Sequence, residues 1–231
     1  MKIKRMNKAL TRFVVVASLS IALLQTVRSE VFLDNTANRS QPLSSNGATI
    51  STGYGSPLYG LVFQVGNGAN VLLTNIVAAL TDPVANGQYN IQLSLYNVDA
   101  QNNPVGSPIV TSSTEFTIGA PIYLRFPLTS PSWNLSAGEM YMVTLSSDSV
   151  EPSLLWVTPS PAQPPTSSPW ATFGEYRSTT PSGPSWTDSS VFGAIQMSGT
   201  VTAVPEPATW AMVALGIGTL LGSRRLRRRS S

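Results

Sequence analysis

The most regular stretch of the sequence alternates between apolar and polar residues. Within Tyr89–Val98, every second position is apolar: Tyr89, Ile91, Leu93 and Leu95. Side chains point alternately to the two faces of an extended strand, so a period of two predicts a strand with one buried face. Asp, Asn and Pro are concentrated in residues 99–104, which predicts that the strand ends there in a turn.

Similar short apolar segments recur through residues 58–201, separated by Gly, Pro, Asn and Asp. The other predicted strands are Leu58–Val65, Val71–Leu80, Ile109–Ile118, Ile122–Leu128, Glu139–Leu145, Leu154–Thr158, Trp170–Tyr176 and Val191–Val201. Outside the two ends of the chain, no helical period is sustained beyond about ten residues. This pattern predicts an all-β body, an antiparallel β-sandwich with a jelly-roll-like arrangement.

Two segments of the body are predicted to be surface loops. Residues 159–169 are rich in proline, which removes backbone donors and is excluded from central strands. Residues 178–190 combine Ser, Pro and Gly around Trp186. Both segments are therefore expected to connect strands rather than to form them.

Composition then excludes several kinds of chemistry. The 231 residues include no His and no Cys, and only 11% are charged. A Ser-His-Asp triad, a Cys-His pair, a disulfide and a His- or Cys-ligated zinc site are all impossible. No cofactor is predicted.

The net charge of +3 conceals three blocks of different sign. Residues 1–29 carry six basic residues and no acid, residues 30–203 carry three arginines and ten acids, and residues 204–231 carry five arginines and one acid. An acidic body without lysine cannot replace the counterions of a polyanion. Nucleic acid is therefore not expected as a partner.

The N-terminal block has the pattern of a secretory signal. Basic residues precede a twelve-residue apolar run at 13–24, and small residues follow at Val27 and Ser29. This order predicts a signal peptide over residues 1–29 that directs the chain to the Sec machinery, with cleavage by signal peptidase between Ser29 and Glu30. A retained N-terminal anchor and a buried helix are the alternatives.

The C-terminal block predicts a membrane helix. Residues 208–223 are uncharged and mostly apolar, and a basic cluster follows: Arg224, Arg225, Arg227, Arg228 and Arg229. A helix of this length spans about 24 Å at 1.5 Å per residue, which suffices if the arginine side chains extend to the interface. The positive-inside bias keeps the arginines cytoplasmic, so residues 30–203 are expected outside.

Pro205, Glu206 and Pro207 stand directly before this apolar segment. Together with the helix and the arginine cluster, they resemble the PEP-CTERM protein-sorting signal of Gram-negative bacteria. The resemblance implies that exosortase, a membrane-embedded cysteine protease, recognises Pro205–Glu206–Pro207 and removes the helix and tail. A plain C-terminal transmembrane anchor remains the alternative.

The body resembles the choice-of-anchor extracellular domains that often precede such signals. The segments that carry this resemblance are Gln92–Tyr96, the turn region Asn97–Pro108, Leu135–Leu145 with its LSAGEMYMVTL sequence, and the later residues Trp156 and Trp186. The resemblance implies a β-sandwich without known enzymatic activity.

Candidate site residues within the body are few. Trp156 and Trp186, if exposed, would stack against sugar rings, whereas buried tryptophans would belong to the core. Asn97, Asp99, Asn102 and Asn103 have oxygen ligands for Ca²⁺, but the residue types favour a plain turn. Asp148, Glu151 and Asp188 are the acids from which a carboxylate-dependent hydrolase would be built.

The sequence therefore predicts a non-enzymatic exported protein with three parts: a signal peptide (1–29), a β-sandwich (30–203) and a sorting signal (204–231). Its expected route passes through an inner-membrane intermediate to the cell envelope, the surface or the extracellular matrix. Two alternatives remain, a carbohydrate-binding module that contacts extracellular polysaccharide through tryptophan, and a secreted hydrolase.

Overall fold

The structure, a computed structural model, describes residues 27–36, 47–50, 58–82, 87–118, 121–129, 133–147, 154–159, 163–180, 183–191 and 193–203. The regular elements of these ranges are β-strands, and every pairing between strands is antiparallel. The strands are β1 (Val27–Asp34), β2 (Gly47–Thr49), β3 (Tyr59–Val65), β4 (Ala69–Thr81), β5 (Gly87–Val98), β6 (Pro104–Ile118), β7 (Ile122–Pro127), β8 (Asn134–Leu135), β9 (Met140–Ser147), β10 (Leu155–Val157), β11 (Thr166–Ser167), β12 (Ala171–Thr180), β13 (Gly183–Asp188) and β14 (Ile195–Ala203).

These strands form two sheets. Sheet A has the order β11-β1-β14-β4-β10-β2, and β7 and β8 also pair with β4. Sheet B has the order β13-β12-β3-β9-β5-β6. Neighbours in both sheets are mostly distant in sequence, so the pairing depends on the whole body rather than on local hairpins.

The two sheets pack face to face over one hydrophobic core. Trp156 of sheet A meets Tyr176 of sheet B with ring centroids 5.7 Å apart, and Phe126 meets Phe116 at 5.2 Å. The largest fully buried side chains are Trp133, Trp156, Tyr176, Phe32, Phe63 and Phe126. Each large apolar side chain removed from water contributes about 1.5–3 kcal/mol, so this core accounts for most of the stabilisation. The arrangement is a β-sandwich.

Most of the sequence-predicted strands are confirmed. The alternation in β5 is realised in part: Tyr89, Ile91, Leu93 and Leu95 are buried as expected, whereas on the other face Gln92 is exposed but Ser94 is buried. The all-β antiparallel prediction is likewise confirmed, while the jelly-roll-like arrangement stays a prediction. The strand β1 was not predicted, since its first three residues were assigned to the signal peptide. The strands β2, β8 and β11 were also not predicted, because two or three residues carry too little pattern.

The loop prediction for residues 178–190 is wrong. Residues 171–180 and 183–188 form the antiparallel pair β12–β13, in which Thr179 lies opposite Trp186. The strand β13 is the outermost strand in the order of sheet B. Ser185, Thr187 and Asp188 of this strand are exposed, so its sequence shows no apolar face. In the proline-rich stretch, Thr166–Ser167 forms a two-residue edge strand beside β1, which agrees with the expectation that no central strand lies there.

The strand β14 occupies the middle of sheet A. It pairs with β1 on one side and with β4 on the other, and its residues Ile195, Met197 and Val201 are buried. Val27 lies opposite Thr202, so the first residue of β1 and the end of β14 are neighbours at the same end of the sandwich.

Candidate functional site

The predicted signal-peptide cleavage site lies within a paired strand. Ser29 is opposite Thr200 and Glu30 is opposite Gly199 in the β1–β14 ladder. The carboxylate of Glu30 accepts a hydrogen bond from the indole Nε1 of Trp170. A strand that begins at Glu30 would keep the pairs from Glu30 to Asp34 and lose only the three at its start. Residues 1–26 of the predicted signal peptide lie outside the described residues.

The C-terminal prediction also falls outside them. Pro205, Glu206, Pro207, the segment 208–223 and the arginines Arg224, Arg225, Arg227, Arg228 and Arg229 all follow Ala203, where β14 ends. Within the part of the chain that the structure describes, no helix has the length and apolar character needed to cross a membrane.

The two tryptophans predicted to stack against a ligand have different environments. The prediction that Trp156 stacks against a ligand is wrong, because this side chain is 0% exposed and its Nε1 donates to the carbonyl of Ala194 at 3.0 Å. The continuous apolar run at residues 154–157 is the pattern of a strand buried on both faces, and this signal already favoured a core position for Trp156. Trp186 is half-buried on β13 and lies on the face of sheet B that points away from the core.

Arg177 organises the polar groups of that outer face. Its Nη1 donates to Glu175 at 3.1 Å and to Asp188 at 2.8 Å. Its Nη2 donates to the side-chain oxygen of Asn103 at 2.8 Å and to the carbonyl of Trp186 at 2.9 Å. The guanidinium thereby links β12 and β13 to the turn between β5 and β6.

The Nε–H of Arg177 has no hydrogen-bond partner and is buried. A buried donor of this kind costs about 1–3 kcal/mol when no acceptor reaches it. The four other bonds of the guanidinium fix its position, so this donor stays buried without an acceptor among the described residues.

The predicted turn after β5 is confirmed. Asp99 accepts hydrogen bonds from the backbone N–H groups of Gln101 at 2.9 Å and Asn103 at 2.8 Å. These bonds to the charged carboxylate, that of Asn103 first, lower the pKa of Asp99. Asn102 has a φ of 61°, a left-handed conformation that Asn tolerates well.

This turn extends across the outer face of sheet B. Asn102 donates through its side-chain nitrogen to Glu175 at 2.8 Å, although β9 and β3 lie between β5 and β12 in the sheet. Within the described residues, no group of three or more acidic side chains could hold a metal ion. The cation that these polar side chains surround is the guanidinium of Arg177.

The acids considered for hydrolysis are only partly described. Asp148 and Glu151 lie outside the described residues. Asp188 and Glu175 meet at Arg177, and both are bonded to the same nitrogen of that residue.

Residues 203–229 match the family model of the PEP-CTERM protein-sorting motif. The predicted sorting signal is therefore confirmed, and the match implies export, recognition by exosortase and targeting to the surface or the extracellular space. No curated protein and no solved structure matches the chain. The resemblance of the body to a choice-of-anchor domain stays a prediction.

Sequence reasoning did not find the cluster around Arg177. One signal was present, because Arg177 is an isolated basic residue inside a strand-forming run of Ser, Thr and aromatic residues. Its partners come from three separate segments, so their convergence depends on tertiary structure.

Proposed function

We propose that this protein is a non-enzymatic exported protein of the cell surface or extracellular matrix, which exosortase processes at its C-terminal signal. The match of residues 203–229 to the sorting motif carries this proposal. The β-sandwich is the delivered part, with a structural or adhesive role.

The position of the motif relative to the body supports this division. The match begins at Ala203, which is also the last residue of β14. Ala203 lies opposite Ala69, so the strand is paired up to the residue at which the motif starts. Processing after the body would therefore leave all the strands of the sandwich intact.

The proposed route begins at Sec and signal peptidase, which would cleave between Ser29 and Glu30. Residues 208–223 would then hold the chain as an inner-membrane intermediate, with Arg224–Arg229 in the cytoplasm, until exosortase acts. The positive-inside bias and the apolar length of the segment support this order.

Mass spectrometry of the mature protein tests the proposal. In a host that makes exosortase, we expect the natural chain to lack the peptides that contain Arg224–Arg229. The variant Glu206→Ala should keep them, because the acidic residue of the recognition motif is lost. Glu139→Ala is the matched control, since Glu139 is an exposed acid of the body, and it should be processed normally.

Two results would count against the proposal. An intact arginine tail in the natural chain would instead support a plain C-terminal anchor. Equal processing of the Glu206→Ala variant would remove the assigned role of the PEP residues.

A second candidate function is binding of extracellular polysaccharide by the body. The observation that favours it is the half-buried Trp186 on the outer face of sheet B. Aromatic side chains present a flat apolar surface to the C–H face of a sugar ring while their polar edge remains hydrogen-bonded.

A further inference from the structure

We infer that two copies of this chain pair antiparallel through the edge strand β6, so that their B sheets join into one continuous sheet. Residues 110–116 of one copy lie along the same residues of the other, with a two-fold axis at Ser113. The inference concerns the folded body and does not depend on how exosortase processes the chain.

The strand β6 is a sheet edge that is open to solvent. It ends the order of sheet B, and within the described ranges its partner is β5 on one side alone. From residue 105 to residue 117 its side chains are exposed or half-buried on both faces. An unpaired edge presents a row of backbone N–H and C=O groups on which another strand can align.

The features that usually protect an edge from pairing are confined to the start of this strand. Pro104, Gly106 and Pro108 lie in its first five residues. Beyond them, residues 110–118 follow β5 without a register shift and include no proline, no basic residue and one acid, Glu115. Natural edges are commonly protected by proline, lysine or a bulge, so about 30 Å of this edge stays competent to pair.

The apolar side chains of β6 are incompletely covered. Val110 and Phe116 pack against the core but are only partly buried, and Ile109 is 41% exposed. Beneath β6, Phe116 contacts Phe126 of β7, and β7 is paired with β4 as its neighbour among the described strands. The two sheets therefore end together on this side of the sandwich, where a second copy would continue the core.

A two-fold axis at Ser113 brings these uncovered side chains together. It places Val110 opposite Phe116 of the partner subunit, and the symmetry repeats this contact. Cross-strand pairs of an aromatic and a β-branched residue stabilise antiparallel sheets. An axis at Thr114 would instead place Phe116 opposite Ser112, so the ring would gain no apolar neighbour.

The charge of the segment favours the same register. Residues 30–203 carry ten acids and three arginines, so two copies of the body repel each other over much of their surface. In the register centred on Ser113, Glu115 faces Thr111 of the partner subunit. An axis at Glu115 would set two carboxylates directly opposite each other, which destabilises a sheet. A segment that complements itself about a two-fold axis fits a second copy of the same chain.

Cysteine crosslinking tests this pairing directly, because the natural chain contains no cysteine. The full-length chain is purified in a large excess of detergent micelles, so that two chains do not share a micelle by chance, and is then oxidised. Ser113→Cys should form a covalent dimer, because residues opposite each other in an antiparallel pair have Cα atoms about 4.5–5.5 Å apart, a distance that a disulfide spans.

Two further cysteine variants are the matched controls. Thr117→Cys lies on the same face of β6 and should not crosslink, because the two copies of this residue would be about 27 Å apart. Ser185→Cys changes an exposed serine on β13, the other outermost strand of sheet B, and should also stay monomeric on a non-reducing gel.

Two lysine variants test the register without a covalent bond. Ser113→Lys sets two ammonium groups opposite each other and should raise the dissociation constant of the dimer by about tenfold or more. Thr111→Lys adds the same charge two positions away, where it faces Glu115 of the partner subunit, and should leave the dimer at least as stable. Sedimentation velocity over a range of protein concentrations measures both constants.

The results that overturn the inference are distinct. A natural chain that sediments as a monomer at every concentration removes the dimer. A dimer that Ser113→Cys links no better than Ser185→Cys shows that the copies meet through another surface. Equal weakening by the two lysine variants shows that the two-fold axis is not at Ser113.

Discussion

At the scale of single residues, the core depends on a glycine that allows a large ring to approach the backbone. A Cβ atom at Gly193 would lie 2.1 Å from Cε2 of Trp156, well inside contact distance. The carbonyl of the same glycine accepts a hydrogen bond from the buried hydroxyl of Tyr176 at 2.6 Å. Burial raises the pKa of Tyr176, which therefore stays neutral and keeps donating. Gly193 thus positions two of the largest side chains of the core.

Gly193→Ala is expected to destabilise the protein by about 1–3 kcal/mol, because the added methyl group overpacks a fully buried site. The free energy of unfolding in urea measures the effect. Gly68→Ala is the matched control: a Cβ atom there would meet nothing within 4 Å, and a change below about 0.5 kcal/mol is expected. Equal stability of the two variants would show that the ring of Trp156 can move away from residue 193 at no cost.

At the scale of elements, the turn between β5 and β6 reaches across sheet B and contacts β12, a strand of the same sheet. Its conformation depends on the carboxylate of Asp99, which accepts two backbone hydrogen bonds. Its tip is bonded through Asn102 to Glu175 and through Asn103 to Arg177. The turn itself was predictable from Asp and Asn, because these residues bond to their own backbone. Its contact with β12 was not, since nothing in residues 99–103 indicates which distant strand they reach.

The lowered pKa of Asp99 predicts an acid-sensitive turn. Because the folded pKa is below the ordinary value of 3.8, the stabilisation is fully present above that value and is lost as the pH falls through the lower folded pKa. Unfolding measured between about pH 2 and 5 should therefore show a steeper loss of stability for the natural chain than for Asp99→Asn. The amide oxygen of Asn can accept the same backbone bonds but does not titrate in this range. Parallel pH profiles would contradict the assignment.

At the scale of the whole molecule, β14 joins the folded body to the sorting motif. It is a central strand of sheet A, and its last residue, Ala203, is also the first residue of the matched motif. The body therefore completes its sheet with the strand that leads directly to the processing signal. The start of β1 lies beside it, so both predicted export signals adjoin the same end of the sandwich.

Two truncations should separate the body from the signal. A chain that ends after Ala203 is expected to keep a cooperative thermal transition at an unchanged midpoint, because every strand remains. A chain that ends after Ala194 should not fold. Loss of Ile195, Met197 and Val201 removes about 2–5 kcal/mol for each of the larger side chains, which approaches or exceeds the usual total stability of about 5–15 kcal/mol. Cooperative unfolding of the shorter chain would show that β14 is dispensable.

The sequence by itself determined the features that depend on local order. The alternation in Tyr89–Val98 set which apolar side chains face the core, because the period of a strand is a local property. The order of motif, apolar segment and arginines in residues 203–229 was enough to identify the sorting signal, because such a signal is recognised as a linear segment. Tertiary structure alone decided that Trp186 lies on the outer face of sheet B, and that Arg177 gathers partners from three segments. Those outcomes depend on which strands become neighbours, and non-local pairing leaves almost no trace in the residues of either strand.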